Sequence, residues 1–298
     1  MDMTLDALFR QAVTAIDSGD VPELTRLLVA EPRLVRERLE SPGDWLKSQV
    51  GDALNGFFAR PYLLWFIAED PVRNGSLPEN IADIARTLTG AAESAGADNL
   101  QEQLDYALQL VCWSWIAPKC GVQIELIDVL LDAGASPLGA PDNALVNGNK
   151  AAAAHLIGRG APLSLTTAVA LGRWEDVATL LESATERSRQ AAFVQAALHG
   201  NVEGLKAMLE AGAVVSEPSP DLFSHATALH HAVFAGSLEA VRVLVEAGAD
   251  LNVTDTAYGG TPLGWAEHAV ETNNDPDARV RYIQIRDYLR QVLRVDAA

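Results

Sequence analysis

Apolar residues along the chain recur mostly at intervals of three and four, the spacing of one helix face, in short runs bounded by turn-forming residues. Leu238, Val241, Leu244 and Val245 form one such stripe, with glycine before it at 236 and after it at 248. The segment just upstream predicts a second, shorter helix. Thr227 stands where a cap would accept a bond from an unpaired backbone N–H, and Ala232 keeps the helix narrow enough for its neighbour to approach. Gly236 then stops it by turning left-handed, a conformation that costs other residues more. The product is a helix-turn-helix unit that cannot bury its own stripe. Stacking several units does.

The same grammar recurs upstream. Gly236 and Gly248 are twelve positions apart, as are Gly200 and Gly212, and Gly148 and Gly160. Leu165 to Leu181 reads as a further unit with Gly172 as its first stop and no second glycine. The short intervals from Gly148 to Gly172 and Gly200 predict trimmed hairpins between those units. In the N-terminal part, Phe9 to Leu28 reads as a first unit. Leu63 to Ala68 with Ile81 to Leu88 reads as a second, and an aromatic segment around Trp113 and Trp115 pairs with Ile124 to Ala135 as a third. Residues 37–56 form an insertion. Downstream, Gly260 to His268 opens a last unit, whose second helix over 277–292 is longer and more charged, as a solvated end should be. About eight units result, five of them from clear patterns. With no Pro-, Gly- or Ser-rich linker, the expected organisation is one solenoid over 1–298, divergent over 1–140, more regular over 141–298 and capped at its C-terminus.

The stretch Thr227-Ala-Leu-His-His-Ala-Val-Phe-Ala-Gly-Ser-Leu-Glu-Ala-Val-Arg-Val-Leu-Val-Glu-Ala-Gly-Ala-Asp250 resembles an ankyrin repeat at nearly every signature position. Thr261-Pro-Leu263 repeats the opening, with Gly264 where the family usually has histidine. The resemblance implies an all-α ankyrin-repeat solenoid. It also implies that His230, at the signature histidine position, holds adjacent loops by hydrogen bonds, while the next position faces a concave groove. Equivalent positions give a strip of Asn143 and Asn147, Thr167 and Leu171, Gln195 and His199, His231 and Phe234, and Trp265 and His268. Aromatic rings offer rigid contact area there, and amides and imidazoles add directional bonds. Tyr258-Gly259-Gly260 predicts a tight hairpin with Tyr258 at its tip. The residues expected to meet a partner are therefore Gln195, His199, His231, Phe234, Tyr258, Trp265 and His268.

The resemblance implies a noncatalytic scaffold that binds a partner protein on its concave face, but such an architecture serves unrelated targets and names no partner. A different reading places a small-molecule pocket of the concave face, for binding or conversion, between the groove and the aromatic N-terminal units, with Trp65, Phe66, Glu69, Asp70, Trp113 and Trp115 beside the 37–56 insertion as its lining. Core filling by those rings is the competing expectation.

Charge narrows the partners. A formal net charge of −18 disfavours nucleic acid and anionic membranes and suits a basic partner. An acidic mimic that blocks a basic partner is a weaker alternative. Arg279, Arg281, Arg286, Arg290 and Arg294 make the last helix an exception. Two cysteines, Cys112 and Cys120, make neither a disulfide framework nor a zinc motif. Nucleophile elbows, P-loops and His-Glu-x-x-His are all missing from the sequence, and His199, His231 and His268 are spaced too widely for one zinc. Neither catalysis, cofactor nor metal is expected. The apolar runs are too short for a membrane span, and the chain is expected to be cytoplasmic, without a leader.

Overall fold

The computed structural model describes residues 3–296, with side chains described through residue 294. Among these residues there are helices and no strands, and no helix is long and apolar enough to cross a membrane. The chain divides into two compact units, one ending at Pro162 and the other beginning at Leu163.

The first unit contains α1 (Leu5–Ser18), α2 (Val21–Ala30), α3 (Asp44–Val50), α4 (Ile81–Ser94), α5 (Leu100–Trp113), α6 (Ile116–Lys119), α7 (Gln123–Asp132), α8 (Ala140–Val146) and α9 (Lys150–Gly158). The expected second unit opens with a 3-10 helix, Leu63–Ala68, instead of an α-helix. It packs against α1, α4 and α5 and is buried throughout. Trp45 in the insertion and Phe58 just after it complete that burial. Trp45 on α3 stacks on Phe66 with ring centroids 6.5 Å apart, and Phe58 meets Phe66 edge-on at 5.3 Å. Trp65 and Phe66 therefore fill the core, whereas Trp113 and Trp115 are surface residues.

A polar cluster pins this arrangement. The guanidinium of Arg73 donates two bonds to the Asp17 carboxylate, at 2.9 and 2.8 Å, and lies 3.1 Å from Oε2 of Glu69. Glu69 Oε1 in turn accepts the backbone N–H groups of Arg73, at 2.8 Å, of Asn74, and of Gly75, at 3.0 Å. Arg73 and Glu69 side chains are 1% and 0% exposed, so each charge depends on the other. The neighbouring Asp70 has no cation beside it, and burial pushes its carboxyl up to about 6.

The second unit contains α10 (Leu165–Ala170), α11 (Trp174–Leu181), α12 (Glu186–Leu198), α13 (Val202–Glu210), α14 (Ala228–Phe234), α15 (Leu238–Glu246), α16 (Pro262–Thr272) and α17 (Pro276–Asp296). First helices stack in the order α10, α12, α14, α16, and second helices α13, α15, α17 form the other layer. Ala192, Ala196, Ala228, Ala232 and Ala266 let the first helices approach closely, and Leu205, Met208, Val241, Leu244, Ile285 and Leu289 fill the space between layers.

The two-residue turns show why glycine recurs every dozen positions. Gly236, at φ +66°, donates its N–H to the carbonyl of Val233 at 2.9 Å, and Ser237 N–H reaches back to Ala232 at 3.2 Å. That pair of bonds closes α14. The Ser237 hydroxyl then accepts the N–H of Ala240 at 3.3 Å and opens α15. Gly200 and Asn201 repeat the device: Asn201 N–H reaches Ala196 at 2.8 Å, and its side chain accepts the N–H of Gly204 at 3.0 Å. One dipeptide thus ends a helix and begins the next.

Replacing Arg73 with leucine leaves the buried Glu69 carboxylate unpaired and is expected to cost about 3–5 kcal/mol of stability, read from urea unfolding. A loss below about 1 kcal/mol would show that the cluster does not hold this unit together.

Candidate binding site

Two loops of the second unit, before α14 and before α16, carry the side chains that shape a cavity in it. The second loop is built around Asp255. Its Oδ1 accepts the N–H groups of Ala257 at 2.9 Å and Tyr258 at 2.6 Å, while Oδ2 accepts Gly260 N–H at 2.8 Å and the indole N–H of Trp265 at 2.9 Å. Burial by itself would raise the Asp255 carboxyl, but the Tyr258, Gly260 and Ala257 N–H groups and the Trp265 indole hold it down at about 2. A single anion thereby closes the hairpin and fixes the tryptophan ring. Gly260 makes the close approach possible, because a Cβ there would stand 2.8 Å from Cδ1 of Trp265. Tyr258 projects from the tip, 83% exposed.

The first loop is joined to the second by Thr256 N–H, which donates to the carbonyl of His225 at 2.8 Å. The His225 ring stacks on Trp265 at 6.2 Å and an interplanar angle of 29°, and meets Tyr258 and His231 edge-on at 6.3 and 6.1 Å. Phe223 completes the cluster at 5.7 Å from His231, on backbone turned left-handed at φ +48°. That conformation is uncommon for a bulky residue and holds the ring at the rim.

Both histidines at the start of α14 are buried. His230 Nδ1 accepts the N–H of Thr227 at 3.3 Å, which leaves Nε2–H to donate to the carbonyl of Gly260 at 3.1 Å. Burial lowers its pKa. The first bond is local to the start of α14, and the second ties that helix to the loop before α16. His231 is different. The carbonyls of Phe223 and Ala226 lie beside its ring and favour its protonated nitrogen, and its buried Nε2 has no partner. Burial, aided by the nearby His225, pushes it down to about 4, so the ring is neutral near pH 7. With Nε2 unpartnered, a proton on Nδ1 is the tautomer that suits the neighbouring carbonyls, and it leaves Nε2 as an acceptor.

The cavity these groups enclose is about 690 Å³. Five of the seven residues expected to meet a partner line it: His231, Phe234, Tyr258, Trp265 and His268. Gln195 and His199 do not, and Gln195 is buried. The sequence reading missed Phe223, His225, Thr272, Asn273 and Tyr282 on the wall. Tyr282 also donates its hydroxyl to the carbonyl of Phe234 at 2.9 Å, joining α17 to the end of α14. Phe223 and His225 lie outside the first-helix register used to assemble the strip. Their aromatic character in a loop was the available signal. Among the described residues no group of three or more His, Cys, Asp or Glu side chains is arranged to hold a metal. Cys112 is buried, which pushes its thiol up to about 12, an unreactive value.

The buried histidine gives a pH dependence. Between its usual value of 6.5 and about 4, the unfolded chain takes up a proton at His231 that the folded chain refuses, so stability falls as pH drops through that window. His230 acts in the same direction, and Asp255 extends it from 3.8 down to about 2. Urea unfolding between pH 7 and pH 4 is expected to show this loss, and His231→Phe to flatten it. An equal slope in the variant would contradict the burial of a neutral imidazole.

A family model described as ankyrin repeats in three copies matches residues 116–255 and, in a second alignment, 193–272. Curated proteins give no sequence match. The chain is similar to the solved ankyrin repeat domain of Bcl-3, described as a unique member of the IkappaB protein family, at 20% identity and a TM-score of 0.30, covering 91% of this chain and 96% of that one. It is similar also to the human ASB11 ankyrin repeat domain, at 20% identity and a TM-score of 0.32, covering 68% and 96% of the respective chains. The family match spans more than half of the 298 residues and includes every residue of the cavity wall except Asn273 and Tyr282, and the chain belongs to the ankyrin-repeat family.

Proposed function

We propose that this chain is a noncatalytic interaction module that grips a partner protein through the cavity between the two loops and helices α14 and α16. Ankyrin repeats are generally protein-interaction modules, and one observation ties that role to this place. Large aromatic side chains stand exposed at the mouth, Phe234 at 63% and Tyr258 at 83%, around a cavity with a rigid wall. Exposed aromatics beside a pre-formed hollow are the usual anchors of a protein interface. The wall is pre-organised by bonds already satisfied within the fold, so a partner orders little on docking. A small molecule is the second reading. It is favoured by the cavity volume of about 690 Å³, which falls within the range of ordinary ligand pockets.

Phe234→Ser with Tyr258→Ser removes the mouth without touching the core. Affinity capture from the native cell is expected to lose a discrete partner in the double variant, with binding reduced about tenfold or more. Retention of the same partner at equal yield would overturn the assignment of this surface. Native mass spectrometry of the purified chain, showing a bound metabolite lost in Trp265→Ala, would instead support the second reading.

A further inference from the structure

The cavity wall specifies more than an apolar anchor. Among the residues that line it there is no lysine or arginine, and no carboxylate either. Its charge character is set by π faces, and these attract cations. Trp265 is the strongest of them, because its indole N–H donates at 2.9 Å to the ionised Asp255, which adds negative potential behind the ring. Phe223 and Tyr258 extend the surface. The chain as a whole carries −18, so a cation is drawn toward it from a distance.

His231 supplies an independent constraint. It is 3% exposed and lies on the wall, and its Nε2 is a buried acceptor without a donor. A buried polar atom left unpaired is costly, and a ligand that brings an N–H to it recovers that cost. An apolar side chain cannot do so, nor can a quaternary ammonium, which has no N–H. A guanidinium satisfies both demands, being a planar cation that stacks on aromatic faces and presents five N–H donors.

We propose that the cavity receives an arginine side chain from a basic segment of the partner protein, its guanidinium on the face of Trp265 and one N–H donated to Nε2 of His231. This rests on the reading of the cavity as a docking surface and names the group that docks. Lysine satisfies the charge but cannot stack as a plane, and citrulline keeps N–H donors but loses the charge.

The test is a titration of the full chain, up to millimolar concentration, with one short Gly/Ser peptide carrying a single central residue. The binding is read by tryptophan fluorescence and by the NMR shift of the Trp265 indole N–H. The arginine peptide is expected to bind about tenfold more tightly than its citrulline, norleucine and trimethyllysine counterparts. His231→Phe, checked for folding by circular dichroism, should weaken the arginine peptide about tenfold and leave the trimethyllysine peptide unchanged. Trp265→Leu should weaken both. Equal or tighter binding of norleucine would overturn the proposal in favour of an apolar anchor. Tighter binding of trimethyllysine would remove the role given to His231. No binding of the arginine peptide at millimolar concentration would overturn it too; loss of the captured partner in the Phe234→Ser, Tyr258→Ser variant would then leave the docking surface standing without its arginine. Free ethylguanidinium is the control for a small-molecule source, and binding as tight as the peptide's would show that no partner chain is needed.

Discussion

The site in the second unit depends on one buried carboxylate. Asp255 accepts four donors, three from the backbone of its own hairpin and one from Trp265, and no cation neutralises it. An anion in such a place persists only because directed N–H groups replace the water it has lost. Once those bonds are made, the positions of Tyr258, Gly260 and Trp265 follow. The carbonyl of Gly260 then receives His230, so the anchoring extends into α14. The loop is thereby held in place by its own hydrogen bonds, which is what a pre-organised recognition surface requires.

Much of the fold was legible because its rules are local. The glycine pairs, the cap at Thr227, the Thr-Pro-Leu opening at Thr261 and stripes such as Leu238, Val241 and Leu244 each state their own structure within a dozen residues. The helix pairs of the second unit fall where those signals put them. The 3-10 helix at Leu63–Ala68 did not announce itself, because its conformation is imposed by distant partners. Trp45, Phe58 and the Glu69–Arg73–Asp17 cluster all lie beyond the reach of a periodicity argument.

The site divides the same way. His231, Phe234, Trp265 and His268 sit at fixed positions of a repeated helix, so register alone placed them on one surface. Gln195 on α12 and His199 just after it obey the same register, but of α12 only Leu198 is on the wall, which α14, α16 and the two loops chiefly build. Phe223 and His225 arrive from a loop whose path no repeat dictates. The acceptor state of His231 was invisible for another reason: it depends on which nitrogen the carbonyls of Phe223 and Ala226 engage.

The central claim is that a partner seats at the hollow beside Asp255, and site-specific photocrosslinking in the native cell tests it most directly. A photoreactive residue placed at Tyr258 on the hairpin tip, 83% exposed, is compared with one at Val29 in the first unit, 77% exposed. The account predicts one discrete crosslinked protein from position 258, none from position 29, and loss of the first when Trp265 is replaced by leucine. The same products from both positions, or a crosslink at 258 indifferent to Trp265, would contradict it.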